Sequence, residues 1–413
     1  MKKKIFVRGP VLSQSGYGEQ SRFALRALRS REDLFDIYVQ PLPWGETGWV
    51  WEESEFRQWV DSKITITQIL MQQKQLQPDI SLQITIPNEF KKLCPVNIGY
   101  TAGIETTKVA PAWLQKGNEE VDKILVVSNH AKTVYENTVV QATNNQTGEN
   151  FPYKLNTPIE VVSETTPRAE PEPINEMSLD YDNNFLMISQ MGPRKNFINS
   201  IKWWVEEFID QEVGLILKTS LAANSIIDWG HLQKRISSLL SPYSERKCKV
   251  YLLHGDLTAG QMTWLFNHDN VKNIVNIAHG EGFGLPLFEA AREGLPVTTI
   301  GWSGQVDFLN HDGKNYFNEV DYTLQPIQKE AVWDGVLDKE SMWAYADQGS
   351  FKMALRKAFK NHDEMKTQAE ELKTLVGTKF SDEVLFENFC AQIYSPSSEE
   401  LEWMKDLEAI EAV

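Results

Sequence analysis

Glu281 and Glu289 stand eight residues apart in the run Glu281-Gly-Phe-Gly-Leu-Pro-Leu-Phe-Glu289, which continues Ala-Ala-Arg-Glu-Gly-Leu-Pro-Val297. Residues 273–278 read as a short buried strand, so 280–286 is a strand-to-helix turn. Glycines in that turn let backbone come close to a ligand, and Pro286 suits a first helical turn. The N–H groups at such a helix start can hold phosphate. Glu281 in the loop and Glu289 about one turn into the helix can then face one bound molecule. Carboxylates accept hydrogen bonds from sugar hydroxyls. Phosphate at the helix start with hydroxyls on two carboxylates suits a nucleotide-sugar better than a bare nucleotide. Gly282, Phe283, Gly284, Leu285, Glu281 and Glu289 are the candidates to contact such a molecule.

The elements that must position this turn can be read from alternation. Strands are expected at 5–7, 35–39, 80–84, 96–100, 123–127 and 159–162, with helices between several of them, the first over 19–30. The stretch that follows carries Pro167, Pro171 and Pro173 among acidic residues and no periodicity, which marks a linker. Past it, strands at 185–189, 213–218 and 250–253 alternate with helices at 196–209 and 260–266. The 196–209 helix puts Phe197, Ile201, Trp204, Val205 and Phe208 on one face, as a helix on a sheet requires. Alternation on both sides of one linker predicts two doubly wound α/β domains. The boundaries expected are 1–165, a linker 166–184, a second domain 185–375, and C-terminal helices over 376–413. Residues 141–150 read as a polar loop insertion.

Composition narrows the setting. A chain of 413 residues with 41% hydrophobic and 24% charged residues has the make-up of a soluble globular protein of two domains. Its amino terminus, MKKKIFVRGP, has no apolar core of a signal peptide, and no apolar run nears the ~20 residues that span a bilayer. Cys94, Cys248 and Cys390 are too scattered for a disulfide framework or a zinc pattern, which suggests a reducing cytoplasm. A net charge of −16 opposes non-specific attraction to nucleic acid or anionic membrane. Against that background Arg22, Arg26 and Arg29 recur on one face of the first helix. They read as a solvated stripe or as a reception for a phosphorylated acceptor. Trp44, Trp49, Trp51 and Trp59 read as packing beneath a loop or as an acceptor lid.

The 281–297 run resembles the E-x7-E signature of retaining family-four glycosyltransferases, with the EGFGLP…EA…G-PV wording nearly complete. The resemblance is strong over about 185–310, weaker over 96–135 and thin elsewhere. It implies the GT-B architecture: two Rossmann-like domains facing across a cleft, with C-terminal helices returning to the first. The donor nucleotide-sugar would sit mainly on the second domain and the acceptor on the first. Phe185-Leu-Met-Ile-Ser-Gln-Met-Gly-Pro-Arg-Lys-Asn196 is similar to the family segment in which a glycine-arginine pair precedes a lysine. Lys195 matches that lysine, which would meet the donor diphosphate and stabilise its charge as it departs. Gln190 stands where the arginine is expected, with Ser189 before it, and Arg194 is the candidate to supply the missing charge. Gly16-Tyr-Gly18 resembles the glycine-rich first loop that approaches the donor phosphates. His254-Gly-Asp-Leu257 falls where the base-binding loop lies, and His254 could reach a phosphate. Gly99-Tyr-Thr-Ala-Gly-Ile-Glu105 is also family-like, with Tyr100 and Thr101 where many members keep a histidine. Tyr17, Tyr100 and Glu105 are the acceptor-side candidates. Gly301 to Asp307 matches a small-residue turn that shapes the cleft, with Asp307 at a helix start.

The resemblance implies metal-independent sugar transfer with retention of anomeric configuration. Glu281 and the Phe283–Gly284 backbone would position the sugar, Lys195 would stabilise the departing diphosphate, and Glu289 would hold ribose hydroxyls. The leaving phosphate would itself serve as base. No Asp-x-Asp pair sits in a suitable loop, so no metal and no cofactor beyond the co-substrate is expected. The acceptor stays open among saccharide, lipid, protein and modified DNA base. Two other readings remain: a nucleic-acid-directed transferase, favoured by the arginines and tryptophans and opposed by the net charge, and a catalytically inactive GT-B nucleotide-sugar binder, suggested by Gln190.

Overall fold

The computed structural model describes residues 2–397 and 400, except 145, 222 and 223. In the first half, β1 (Lys3–Gly9) leads through a serine-capped turn into α1 (Gly16–Arg29), where the Ser15 side chain accepts the Gly18 N–H. Phe23, Ala24, Ala27 and Leu28 bury one face of that helix. Then follow β2 (Phe35–Pro41), α2 (Glu55–Gln72), β3 (Ile80–Ile84), β4 (Val96–Thr101), α3 (Pro111–Glu120), β5 (Lys123–Val126) and α4 (Asn129–Asn137). Next, β6 (Val140–Thr143) and β7 (Asn150–Tyr153) pair as an antiparallel hairpin before β8 (Ile159–Val161) rejoins the sheet. The main sheet has the order β2-β1-β3-β4-β5-β8 and is parallel throughout.

The second half repeats the plan. It runs β9 (Asn184–Ile188), α5 (Phe197–Phe208), β10 (Gly214–Lys218), α6 (Ile226–Leu240), β11 (Lys249–Leu253), α7 (Ala259–Asn267), β12 (Val271–Asn276), α8 (Leu285–Glu293) and β13 (Val297–Ile300). The short α9 (Val306–Leu309), the β14 (Asn310–His311)–β15 (Lys314–Asn315) hairpin and β16 (Asn318–Val320) follow. A hairpin of β17 (Tyr322–Pro326) and β18 (Met342–Ala346) precedes α10 (Gln348–Lys360), α11 (His362–Lys379) and α12 (Asp382–Ile393). Its sheet, ordered β11-β10-β9-β12-β13-β16, is also parallel. Strands covered by helices on both faces read as unbroken apolar runs, which is why the alternation was visible in the sequence.

Two features depart from the sequence expectation. The polar insertion at 141–150 is largely a hairpin: its residues are mostly exposed, so no buried face imposes a period-two pattern. The three arginines of α1 are not a free stripe: Arg22 and Arg26 turn inward, and only Arg29 stays at the surface, in an ion pair. Arg22 Nη1 donates to the carbonyls of Val11 (3.0 Å) and Ser13 (2.9 Å), and Arg26 Nη2 to that of Thr165 (2.8 Å). Arg29 pairs with Glu55 and lies 5.3 Å from the Trp59 ring.

Between β8 and β9 the chain has no helix or strand, yet it is held to both halves. Ile174 joins the main core cluster, and the Glu172 N–H donates to the Gly260 carbonyl at 3.0 Å. At the other end, α12 packs on α1, with Phe389 5.6 Å from Phe23 and 5.5 Å from Tyr100. Residues 398, 399 and 401–413 of the expected C-terminal helices lie outside the described residues. Among the described residues, no helix is long and apolar enough to cross a membrane.

Glu164, at the start of the connection, is buried, and its Oε2 has no hydrogen-bond partner. Burial, then the nearby Glu19, push its carboxyl up to about 8 against the pull of Arg26. The folded state therefore holds this proton more tightly than the unfolded chain. The resulting stability is full below the ordinary value of 4.5 and is lost as pH rises through about 8. Replacing Glu164 with Gln should remove that dependence. Between pH 5 and 8 the advantage of Glu164→Gln over wild type should grow by up to about 1.4 kcal/mol per unit. Urea unfolding across this range checks it; parallel profiles would refute the assignment.

Candidate active site

In the second sheet the strand order reverses between β9 and β12, the switch point where doubly wound sheets form a ligand crevice beyond the strand ends. The loop after β9 carries Arg194 and Lys195 in a tight 193–195 turn, and the loop after β12 carries Glu281. Asn196, with φ 49°, turns the chain from that cation pair into α5. The two loops are tied by the His279 N–H, which donates to the Arg194 carbonyl at 2.8 Å.

Side chains then converge on Glu281, whose own is 7% exposed. Lys195 Nζ donates to Oε1 at 2.6 Å and Oε2 at 2.7 Å. Arg194 Nη1 donates to Oε2 at 3.1 Å and to the Gly280 carbonyl at 2.6 Å. Asn276 Nδ2 adds a bond to Oε1 at 3.0 Å, and the Glu281 N–H donates to Ser303 Oγ at 2.9 Å. Burial alone would raise the Glu281 carboxyl, but Lys195 and Arg194 overcome it and hold it at about 2. Burial, and Arg194 beside it, lower the Lys195 ammonium from its ordinary value. The result is a charge-assisted cluster in a mostly dry setting.

The other half of the chain closes on this cluster. Arg194 Nη2 lies 3.4 Å from Glu105 Oε1. A Cβ on Gly280 would stand 2.3 Å from the Glu105 carbonyl, and one on Gly282 2.5 Å from that of Ala102, so only glycine permits the approach. Asp307 lies in the first turn of α9, as expected, and also accepts the Asn129 N–H at 2.7 Å, meeting the start of α4 from across the cleft. Burial raises its carboxyl to about 6.

Gly284, with φ 94°, opens α8. Phe283 is buried against Phe288 (5.1 to 5.4 Å ring separations with Phe308 included), which leaves its backbone as the part able to meet a ligand. Leu285 begins the helix. Glu289 lies further along, where its Oε1 accepts the Thr166 hydroxyl at 2.7 Å. Burial pushes this carboxyl up to about 7, so the two glutamates of the signature titrate in opposite directions.

Other candidates fall elsewhere. Tyr100 is fully buried, and its hydroxyl donates to the Val162 carbonyl at 2.9 Å; it belongs to the core beneath α12 and not to an acceptor surface. Tyr17, half-buried, shares a hydrogen bond with Thr101 Oγ1 at 2.6 Å and lies 4.5 Å from the Trp44 ring. Gly16 is exposed at the first turn of α1. His254 follows β11, an edge strand two places from β9, and so stands apart from Lys195. Its imidazole is lowered by burial and by Lys218, and its Nε2 has no partner. Gln190 turns to the Leu221 carbonyl, while Arg194 joins the Glu281 cluster. Trp49 (69%) and Trp51 (87%) are exposed rather than packed. Sequence reasoning missed Asn276, Ser303 and Thr166 as partners of the glutamates. Ser303, with φ 76°, was foreshadowed by its small-residue turn; Thr166 had no local signal.

No protein-family model matches this sequence, and no curated protein matches it. Solved structures do match. Sucrose-phosphate synthase of Thermosynechococcus elongatus has a TM-score of 0.62 at 12% identity, over 95% of this chain and 98% of that one. A glycosyltransferase of Rickettsia africae ESF-5 gives 0.58 at 12% identity, over 95% and 98%. The E. coli trehalose-phosphate synthase bound with UDP-2-fluoro glucose gives 0.57 at 10% identity, over 96% and 100%. At such identities the likeness speaks for the fold: the two sheets are the Rossmann-like halves of a GT-B fold.

The Lys195–Glu281 pair has a thermodynamic signature. Lys195→Ala leaves a buried carboxylate with one cation fewer and should cost about 2–4 kcal/mol. Glu281→Ala should cost a similar amount, by leaving two cations crowded. Because each loss is largely an unmet charge, the double variant should cost less than the sum by at least about 1 kcal/mol. Denaturant unfolding of the four proteins measures this; strict additivity would mean the pair is not coupled.

Proposed function

We infer that this GT-B chain is a glycosyltransferase that moves a sugar from a nucleotide-sugar to an acceptor hydroxyl, with retention at the anomeric carbon and without a metal. The observation that carries this reading is the meeting of Lys195, Arg194 and Glu281 at the sheet switch point, with Glu289 on the helix that follows. Breaking a glycosidic bond to a diphosphate builds negative charge on the leaving group. Lys195 and Arg194 are fixed cations where that charge develops, and they need no reorganisation at the moment of reaction. Glu281, kept ionised by the same cations, accepts hydrogen bonds from the hydroxyls of the transferred sugar. The Phe283–Gly284 backbone lies beside it at the start of α8. Glu289 accepts from the ribose hydroxyls, steadied by Thr166. The leaving phosphate takes the acceptor proton, so no side-chain base is required. Among the described residues, no group of three or more His, Cys, Asp or Glu is placed to hold a metal ion.

Arg22 and Arg26 of α1 face inward, which removes one support for a nucleic-acid acceptor, and the net charge of −16 opposes such a partner. A saccharide, lipid or protein acceptor in the cytoplasm is the reading that remains.

Thermal-shift measurements with UDP-, GDP-, ADP- and CDP-sugars test the donor site, since a ligand of the folded state raises the midpoint. One nucleotide class should stabilise the wild type, less so Glu289→Ala and Lys195→Ala. No shift with any of the four would overturn the assignment. A pH series adds a second check. Ribose needs Glu289 as an acceptor, so nucleotide affinity should rise as pH increases through about 7, where this carboxyl ionises. In Glu289→Gln that rise should vanish.

A further inference from the structure

Arg194 works in two directions. Within its own half it holds Glu281 Oε2 at 3.1 Å and the Gly280 carbonyl at 2.6 Å. Across the cleft, its Nη2 stands 3.4 Å from Glu105 Oε1. The cluster thus contains two cations, Arg194 and Lys195, and two carboxylates, Glu281 and Glu105, with no net charge. A diphosphate entering this cluster adds negative charge to a site already balanced. It can be held well only if one carboxylate yields its cation.

Glu281 is poorly suited to yield. Its side chain is 7% exposed and is bonded to Lys195, Arg194 and Asn276 at 2.6 to 3.1 Å. Glu105 is the weaker partner, with a 23% exposed side chain and a longer contact to Arg194. Its loop, however, is fixed. The Thr107 N–H donates to the Met342 carbonyl at 2.9 Å, and the Met342 N–H donates to Thr107 Oγ1 at 2.9 Å. Lys108 Nζ lies 3.4 Å from Glu340 beside them. Release of Arg194 therefore requires a side-chain rotation at Glu105 and leaves the surrounding backbone in place.

The geometry points to Glu105 as the counter-ion that the donor's diphosphate displaces from Arg194. The inference rests on the donor-site reading above. Glu105 is a positioning residue: it neutralises and aims Arg194 until phosphate arrives, and its own carboxylate is then released on the acceptor side of the cleft. Nucleotide binding is weakened by the exchange, because the phosphate must win Arg194 from an existing partner.

Calorimetric titration of the full chain with UDP, GDP, ADP and CDP tests this. Glu105→Gln keeps the shape and removes the charge, and should bind the preferred nucleoside diphosphate about fivefold more tightly than wild type. Glu105→Ser should show the same gain, guarding against a local effect of the glutamine. In an Arg194→Ala background, Glu105→Gln should change affinity little, since the competition is for that guanidinium. If wild type binds a nucleotide and Glu105→Gln binds it equally or more weakly, the inference fails. It also fails if the gain persists without Arg194. If neither wild type nor the variants bind any of the four, the donor-site reading itself fails and takes this inference with it.

Discussion

A carboxylate buried between two loops is the constraint around which the second half of the molecule is arranged. Moving Glu281 out of water costs several kcal/mol, and only close, well-aligned cations and hydrogen-bond donors offset that. Lys195, Arg194 and Asn276 supply them. To bring them together, the chain accepts backbone conformations that are uncommon for non-glycine residues at Asn196 and Ser303, with φ of 49° and 76°. The backbone bond between His279 and Arg194 then locks one loop to the other. Fixed charges of this kind contribute little to net stability. In the function proposed above, their value lies in being already oriented when a charged ligand arrives.

The two halves of the GT-B fold meet at this same place. Loop 102–108 of the first half lies against Gly280 and Gly282, and Asp307 of the second half meets the start of α4. Away from the cleft, α12 seats Phe386 and Phe389 against Phe23 of α1. The halves are thus joined by apolar packing at the back and by polar contacts at the cleft. Apolar packing holds wherever water is excluded, whereas polar contacts can be exchanged for those of a ligand at little net change. The exchangeable contacts are the ones that line the candidate site.

Much of this was legible in the sequence where the cause is local. Alternating buried strands and helices, the glycine turn at 280–286 and the Arg194–Lys195 pair all announce themselves within a dozen residues. Contacts set by tertiary placement did not. Tyr100 stands in a family-like segment, yet α12, nearly three hundred residues later, covers it. Arg22, Arg26 and Arg29 have the spacing of an open stripe, and only the fold shows that carbonyls and Glu55 take them up. Thr166 reaches Glu289 from the connection between the halves, and nothing near either residue foretells it. Glu281 and Glu289 make the point most directly. Identical residues in one motif are held at about 2 and pushed up to about 7, because one has two cations and the other has burial without an equal compensation.

Gln190 shows why motif departures need geometry to interpret. The resemblance places an arginine there, and its replacement by glutamine could signify a lost donor site. In the fold, Gln190 turns outward to the Leu221 carbonyl, while Arg194, four residues on, reaches the same carboxylate as Lys195. In the transfer proposed above, the departing diphosphate needs positive charge at a position in space, whichever position in sequence supplies it. Adjacent cations in one tight turn would repel each other if left alone. Glu281 between them, and Glu105 on the far side of Arg194, make that crowding tolerable. Whatever stands at 190, the two adjacent cations of this fold are met by two anions, one on each side of Arg194.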